Sequence, residues 1–172
     1  MSASADDRDA RFQSPREVAL GGPVGFLAFG FCSGLSPRAP GTAGSAMALL
    51  LGLPLLGLPA WIGAGLVVLT FLIGIPICER ASRAMGVHDH GGIVWDEFVG
   101  VWMVLLTLPA HPAWWLAAFI VFRVFDIAKP WPIGWLDRRV RGGLGIMIDD
   151  VVAAGYAIAV LALLRLGLER IG

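Results

Sequence analysis

Hydrophobic positions run through this chain in unbroken blocks: 46–58 (AMALLLGLPLLGL), 59–78 (PAWIGAGLVVLTFLIGIPIC), 98–110 (FVGVWMVLLTLPA), 112–128 (PAWWLAAFIVFRVFDIA) and 149–168. Helix is the conformation that suits such blocks, because it satisfies every backbone polar group within the segment. At 1.5 Å per residue the second and fifth reach roughly 30 Å, whereas the blocks at 46–58 and 98–110 reach only about 20 Å. The pattern therefore predicts an all-α, polytopic membrane bundle of about four to five apolar helices, the two short blocks being partial spans. Pro54 and Pro76 are expected to kink their helices, which neighbours in a bundle tolerate. Residues 20–33 (LGGPVGFLAFGFCS) are apolar but short and Gly-rich, and fit an interfacial or re-entrant piece.

Composition agrees with this division. The 172 residues are 57% hydrophobic, and the mean hydropathy of +0.76 lies well above that of a soluble domain. Residues 1–20 mix acidic, basic and small polar side chains, which is wrong for a signal peptide. They are expected to be a flexible tail ahead of one membrane-embedded domain, 21–172. Cys32 and Cys78 stand far apart without metal-ligand spacing, so neither a disulfide framework nor a zinc site is indicated.

Net charge is zero, but its distribution is informative. The joints at 57–59 and 109–112 are tight and nearly uncharged, so blocks one and two, and three and four, read as helical hairpins with both turns on one side. Every Lys and Arg except Arg165 and Arg170 then falls on the other side, with the loops 34–45, 79–97 and 129–148. The positive-inside bias makes that side cytoplasmic.

Acidic residues beside the blocks lie at this same end: Asp96 and Glu97 opening block three, Asp126 near the end of block four, Asp149 and Asp150 opening block five. For the two adjacent pairs, helix N-termini offer an alternative explanation, since the first turn welcomes negative charge. Asp126 lacks that explanation because it falls in a last turn, where only Arg123 three residues earlier excuses it. Carboxylates gathered at the edge of an apolar bundle repel one another unless a cation neutralises them. Oxygen ligands without Cys or His spacing favour a hard ion such as Mg²⁺, with Glu97, Asp149, Asp150 and Asp96 as candidate ligands.

Phosphate-handling features surround these acids. Arg123, Asp126 and Lys129 line one broad helical face, and the following loop carries Arg138, Arg139 and Arg141 before a glycine-rich approach to block five. These last arginines could equally meet anionic headgroups. In GLSPRAPGTAGS (34–45), Thr42, Ser45 and backbone N–H groups could meet phosphate at a helix start with Arg38 as a clamp, or could simply form a loop and cap. His88 and His90 in VHDHGGIVWDE are candidate proton carriers or phosphate contacts, or solvated surface. Cys32 and Arg38 have the spacing of a cysteine-phosphatase loop, but no buried strand leads in and a proline interrupts the cradle.

The stretches GLSPRAPGTAGS, MGVHDHGGIVWDEFVG and FRVFDIAKPWPIGWLDRRVRGGLGIMIDD, in this order, resemble the bacterial phosphatidylglycerophosphatase A family over about residues 21–168. The resemblance implies an Mg²⁺-dependent enzyme of the bacterial inner membrane, its active site facing the cytoplasm, that hydrolyses phosphatidylglycerophosphate to phosphatidylglycerol and phosphate. The bilayer and this lipid are the expected partners; no nucleic acid is. On this reading Asp96, Asp126 and Asp150, with His88 and His90, carry catalysis by water attack or, as the other route, an aspartyl-phosphate. Arg38, Thr42, Ser45, Arg123, Lys129 and Arg138 hold phosphate. A membrane phosphotransferase and a small transporter or assembly factor are the rival readings; against the latter, the charges cluster at one end rather than in mid-helix.

Overall fold

The computed structural model describes residues 12–170, so the part of the expected tail at residues 1–11 lies outside the described residues. All regular structure among the described residues is helical. The helices are α1 (Pro15–Leu20), α2 (Pro23–Ala28), α3 (Pro40–Gly52), α4 (Ala60–Met85), α5 (Trp95–Leu105), α6 (Pro112–Ala128), α7 (Ile133–Arg139) and α8 (Gly142–Glu169), with short 3₁₀ segments at Ser33–Leu35 and Leu53–Gly57. Three are long and apolar enough to cross a membrane: Pro40–Gly57 taken through its 3₁₀ end, α4 and α8. The 11-residue α5 and the 17-residue α6 pack among them.

Several expected boundaries move. The tail is not loose throughout, because Ser14 and Glu17 form a reciprocal capping box: the Ser14 hydroxyl accepts from the Glu17 N–H, and the Glu17 carboxylate accepts from the Ser14 N–H at 2.7 Å. Block one starts earlier, at Pro40, so Gly41, Thr42 and Ser45 are helical rather than part of a loop. Block five starts at Gly142, which places Asp149 and Asp150 about two turns inside α8 and removes the helix-start explanation for them. The glycines at 142–145 are thus helix rather than an approach loop. Pro54 marks the change from α to 3₁₀ geometry, while Pro76 sits within the continuous α4.

Close backbone packing explains the early start of α8. A Cβ on Gly143 would lie 1.9 Å from the Ile75 carbonyl oxygen of α4, so only glycine allows this approach. Glu79 of α4 accepts a short hydrogen bond from the Gly143 N–H and caps an orphan donor of α8 with favourable charge. Gly143→Ala should therefore lower stability by about 1–3 kcal/mol, because the obstacle is backbone and cannot rotate away. A lowered thermal midpoint in detergent would show it; an unchanged midpoint would mean the helices separate without cost.

From this contact α8 runs as the central post against α4, α5, α6 and α7, while α3 packs on α5 and α6. Phe98, Leu105, Phe122, Ala154 and Leu161 are fully buried between α5, α6 and α8. Gly52 faces Trp102 and Leu105, and Gly63 faces Leu106. These contacts bring the starts and ends of the two hairpins' helices against one another. Leu116, Ile120, Val124 and Ile127 form an exposed apolar stripe along α6, suited to lipid.

Candidate active site

Trp95 fixes the first turn of α5. Its indole N–H donates to the Thr70 carbonyl of α4 at 3.1 Å, and its ring stacks on Phe98. With that side of the helix anchored, the next two residues carry their carboxylates into the bundle. One oxygen each from Asp96, Glu97 and Asp150 lie within 4.8 Å of one another. All three residues are buried, and so is Asp149. Asp96 Oδ1, Glu97 Oε2, Asp149 Oδ1 and Asp150 Oδ2 have no hydrogen-bond partner.

Two cations border this group. Arg123 Nη1 reaches Glu97 Oε1 at 3.4 Å, the Ser45 hydroxyl at 3.5 Å and, closer still, the Asp126 carboxylate. The pair Arg123–Asp126 is the i,i+3 partnership expected from sequence, and it spares Asp126 the unfavourable last-turn position. Lys129 ends α6 in left-handed backbone geometry and places its ammonium 2.7 Å from Asp149 Oδ2 and 2.9 Å from Asp137 Oδ1. Burial by itself would pull the Lys129 ammonium down, but the hydrogen bonds to Asp149 and Asp137 outweigh it and hold it well above its ordinary value.

The N-terminus of α3 closes another side. A Cβ on Gly41 would stand 2.5 Å from Glu97 Oε1 and 3.0 Å from Arg123 Nη2, so the helix start presses directly on this ion pair. Ser45 supports the same contact, its hydroxyl donating to the Gly41 carbonyl at 2.9 Å. Gly41, Glu97, Arg123, Asp126 and Lys129 line an open cleft of about 340 Å³ that gives access to the cluster. A larger groove of about 560 Å³ between α4, α5 and α8 holds no titratable side chain, so chemistry belongs to the smaller one.

Charge counting decides what the arrangement can hold. Among the described residues the ion-pair partners of Asp96, Glu97, Asp126, Asp149 and Asp150 at this site are Arg123 and Lys129, and ionising all five acids together is costly without a further cation. Convergent, unpartnered carboxylate oxygens without nitrogen or sulfur ligands are the donor set of a hard divalent ion. The residues present therefore fit Mg²⁺.

The other sequence candidates are less central. Arg38 is exposed at the rim, and Arg138 is exposed on α7; neither makes an ion pair among the described residues. Thr42 is half-buried in the first turn of α3. His90 accepts from the Gly92 N–H through Nδ1 at 3.0 Å with its ring near Phe29, and the exposed His88 offers its carbonyl to Ser82. Neither imidazole joins the carboxylates. The Cys32–Arg38 cradle does not form: the N–H groups of residues 33–36 are spent on the carbonyls of Gly30, Phe29, Cys32 and Ser33. Sequence reasoning missed the tight apposition of Gly41 and the role of Asp137 as a second partner of Lys129. A glycine five residues before the apolar block at 46–58, and an aspartate beyond a double-proline break, carried no signal of either.

The family model for phosphatidylglycerophosphatase A matches residues 26–165. Phosphatidylglycerophosphatase A of Escherichia coli K12 is 48% identical over 145 residues, covering 84% of each chain. The protein of the same name from Haemophilus influenzae is 49% identical over 150 residues, 84% of this chain and 90% of the relative. A Bacteroides thetaiotaomicron protein, provisionally named a phosphatidylinositol-3-phosphatase, is 40% identical over 144 residues, 79% of this chain and 89% of its own. No solved structure matches the chain.

Proposed function

The chain belongs to the phosphatidylglycerophosphatase A family, and from that membership we propose that it hydrolyses the terminal phosphate of phosphatidylglycerophosphate in an Mg²⁺-dependent reaction. The observation that carries the metal reading is the convergence of Asp96, Glu97 and Asp150, buried and each with an unpartnered oxygen, with Glu97 lining a cleft that also holds Arg123 and Lys129. Those three carboxylates would hold the ion, with Asp149, next to Asp150 and carrying an unpartnered Oδ1, as a further candidate ligand. When bound, Mg²⁺ offsets the charge on phosphate oxygens and acidifies a water molecule.

The chain's own groups perform the rest. Arg123 and Lys129 neutralise the non-bridging oxygens of the phosphate monoester, and the first N–H groups of α3 add donors at a helix start. A cluster carboxylate, Asp126 or Asp96, takes the proton of the attacking water as its oxygen bonds to phosphorus. The bond from phosphorus to the glycerol oxygen then breaks, and that oxygen takes up a proton to leave phosphatidylglycerol. Arg38 and Arg138 extend the positive rim toward an anionic headgroup. We place the site at the cytoplasmic face of the bacterial inner membrane, because all but two of the basic side chains lie toward that end of the sequence pattern.

Purified protein in detergent should release phosphate from short-chain phosphatidylglycerophosphate, lose this activity in EDTA and regain it with Mg²⁺. Turnover insensitive to EDTA would sink the metal reading, and absence of phosphate release in every condition would favour a transporter or assembly role. Running phosphatidylinositol 3-phosphate in parallel sets the substrate preference, which the Bacteroides relative's name makes a fair competitor.

A further inference from the structure

Asp137 has no place in the reaction outlined above, yet it is built into the site's edge. It sits on α7, across the Pro130–Pro132 bend from Lys129, and its Oδ1 accepts from Lys129 Nζ at 2.9 Å. Asp149 Oδ2, from α8, accepts from the same nitrogen at 2.7 Å. Two carboxylates from two helices thus grip one ammonium. We propose that Asp137 is a positioning residue that aims the third N–H of Lys129 at a phosphate oxygen of the substrate.

An ammonium has three N–H donors and no acceptor, so two carboxylates leave one donor, and Lys129 lines the cleft beside Gly41, Arg123 and Asp126. A lysine on a single carboxylate keeps rotational freedom about its four-carbon stem, whereas a second fixed acceptor removes it. Asp149 alone could not do this, because it also stands against the acidic group and has its Oδ1 turned elsewhere without a partner. Asp137 is a third exposed and lies on a separate short helix, so it can serve Lys129 without adding a fully buried charge to the cluster.

This rests on Lys129 contacting phosphate, and the test separates the two ideas. Steady-state release from short-chain phosphatidylglycerophosphate would be measured for wild type, Asp137→Asn, Lys129→Met and the double variant. A thermal melt on each would confirm folding, and Lys129→Gln would substitute if the Met variant does not fold. Asp137→Asn should raise KM about ten-fold with kcat nearly unchanged, the size typical of losing a partner that orients a site group. The same substitution should change nothing further once Lys129 is Met. A fall in kcat at wild-type KM, or a loss that persists in the Lys129→Met background, overturns the proposal. A wild-type KM for Lys129→Met overturns the phosphate role of Lys129 itself, while leaving the carboxylate site to its own test.

Discussion

Asp150→Asn should cut Mg²⁺-dependent phosphate release by about three orders of magnitude while leaving the protein folded. The estimate takes loss of one carboxylate ligand as about 4 kcal/mol of transition-state stabilisation, at 1.36 kcal/mol per factor of ten. The substitution keeps the side chain's shape and removes charge from a crowded, buried group in which Glu97 and Asp96 stand within 4.8 Å. Metal-free Asp150→Asn protein should therefore melt no lower than wild type, and its midpoint should respond less to added Mg²⁺. Phosphate assays and melts with and without the ion read both effects. Wild-type turnover in this variant would remove Asp150 from the site.

Arg123→Met should act on stability as well as on activity. The guanidinium is the shared partner of Glu97, Asp126 and Ser45, and its side chain is only 13% exposed. Removing it strands the buried Glu97 and the half-buried Asp126, a change that costs about 3–5 kcal/mol where a buried pair is broken from one side. Phosphate release should fall by at least about a hundred-fold, since a donor aimed at developing charge is lost as well. Arg123→Lys restores charge but not the planar fork that bridges several oxygens, so it should recover stability more than activity. A wild-type melting temperature for Arg123→Met would show that the three-way contact is energetically idle.

Much of this site was legible before the fold was known, because charge in an apolar chain is scarce and its position along each block is itself information. That Asp96, Glu97 and Asp150 gather, with Asp126 and Asp149 on the bordering cations, was expected from counting hairpins, and the Arg123–Asp126 pair from helical spacing. Glycine misled the boundaries. Its low helix propensity made 41–45 and 142–145 read as loops, whereas packing overrides propensity where Gly41 touches the Glu97–Arg123 pair and Gly143 meets a backbone carbonyl. The Lys129–Asp137 contact could not be read at all, since it depends on how the chain folds back after α6. His88 and His90 show the limit of closeness in sequence: His90 meets the Gly92 N–H and lies near Phe29, and His88 is exposed, so neither stands with Asp96 in the carboxylate group.

The far end of the bundle has a bearing on how the protein reaches its place. Residues 53–59 and 106–112 contain no Asp, Glu, Lys or Arg, and the C-terminal end of α8 brings Arg165 with Glu169 as a 2.8 Å pair. This end of the bundle thus offers two uncharged turns and a mostly self-neutralised helix end. Each hairpin can therefore enter an apolar layer as a unit without a charged side chain at its tip.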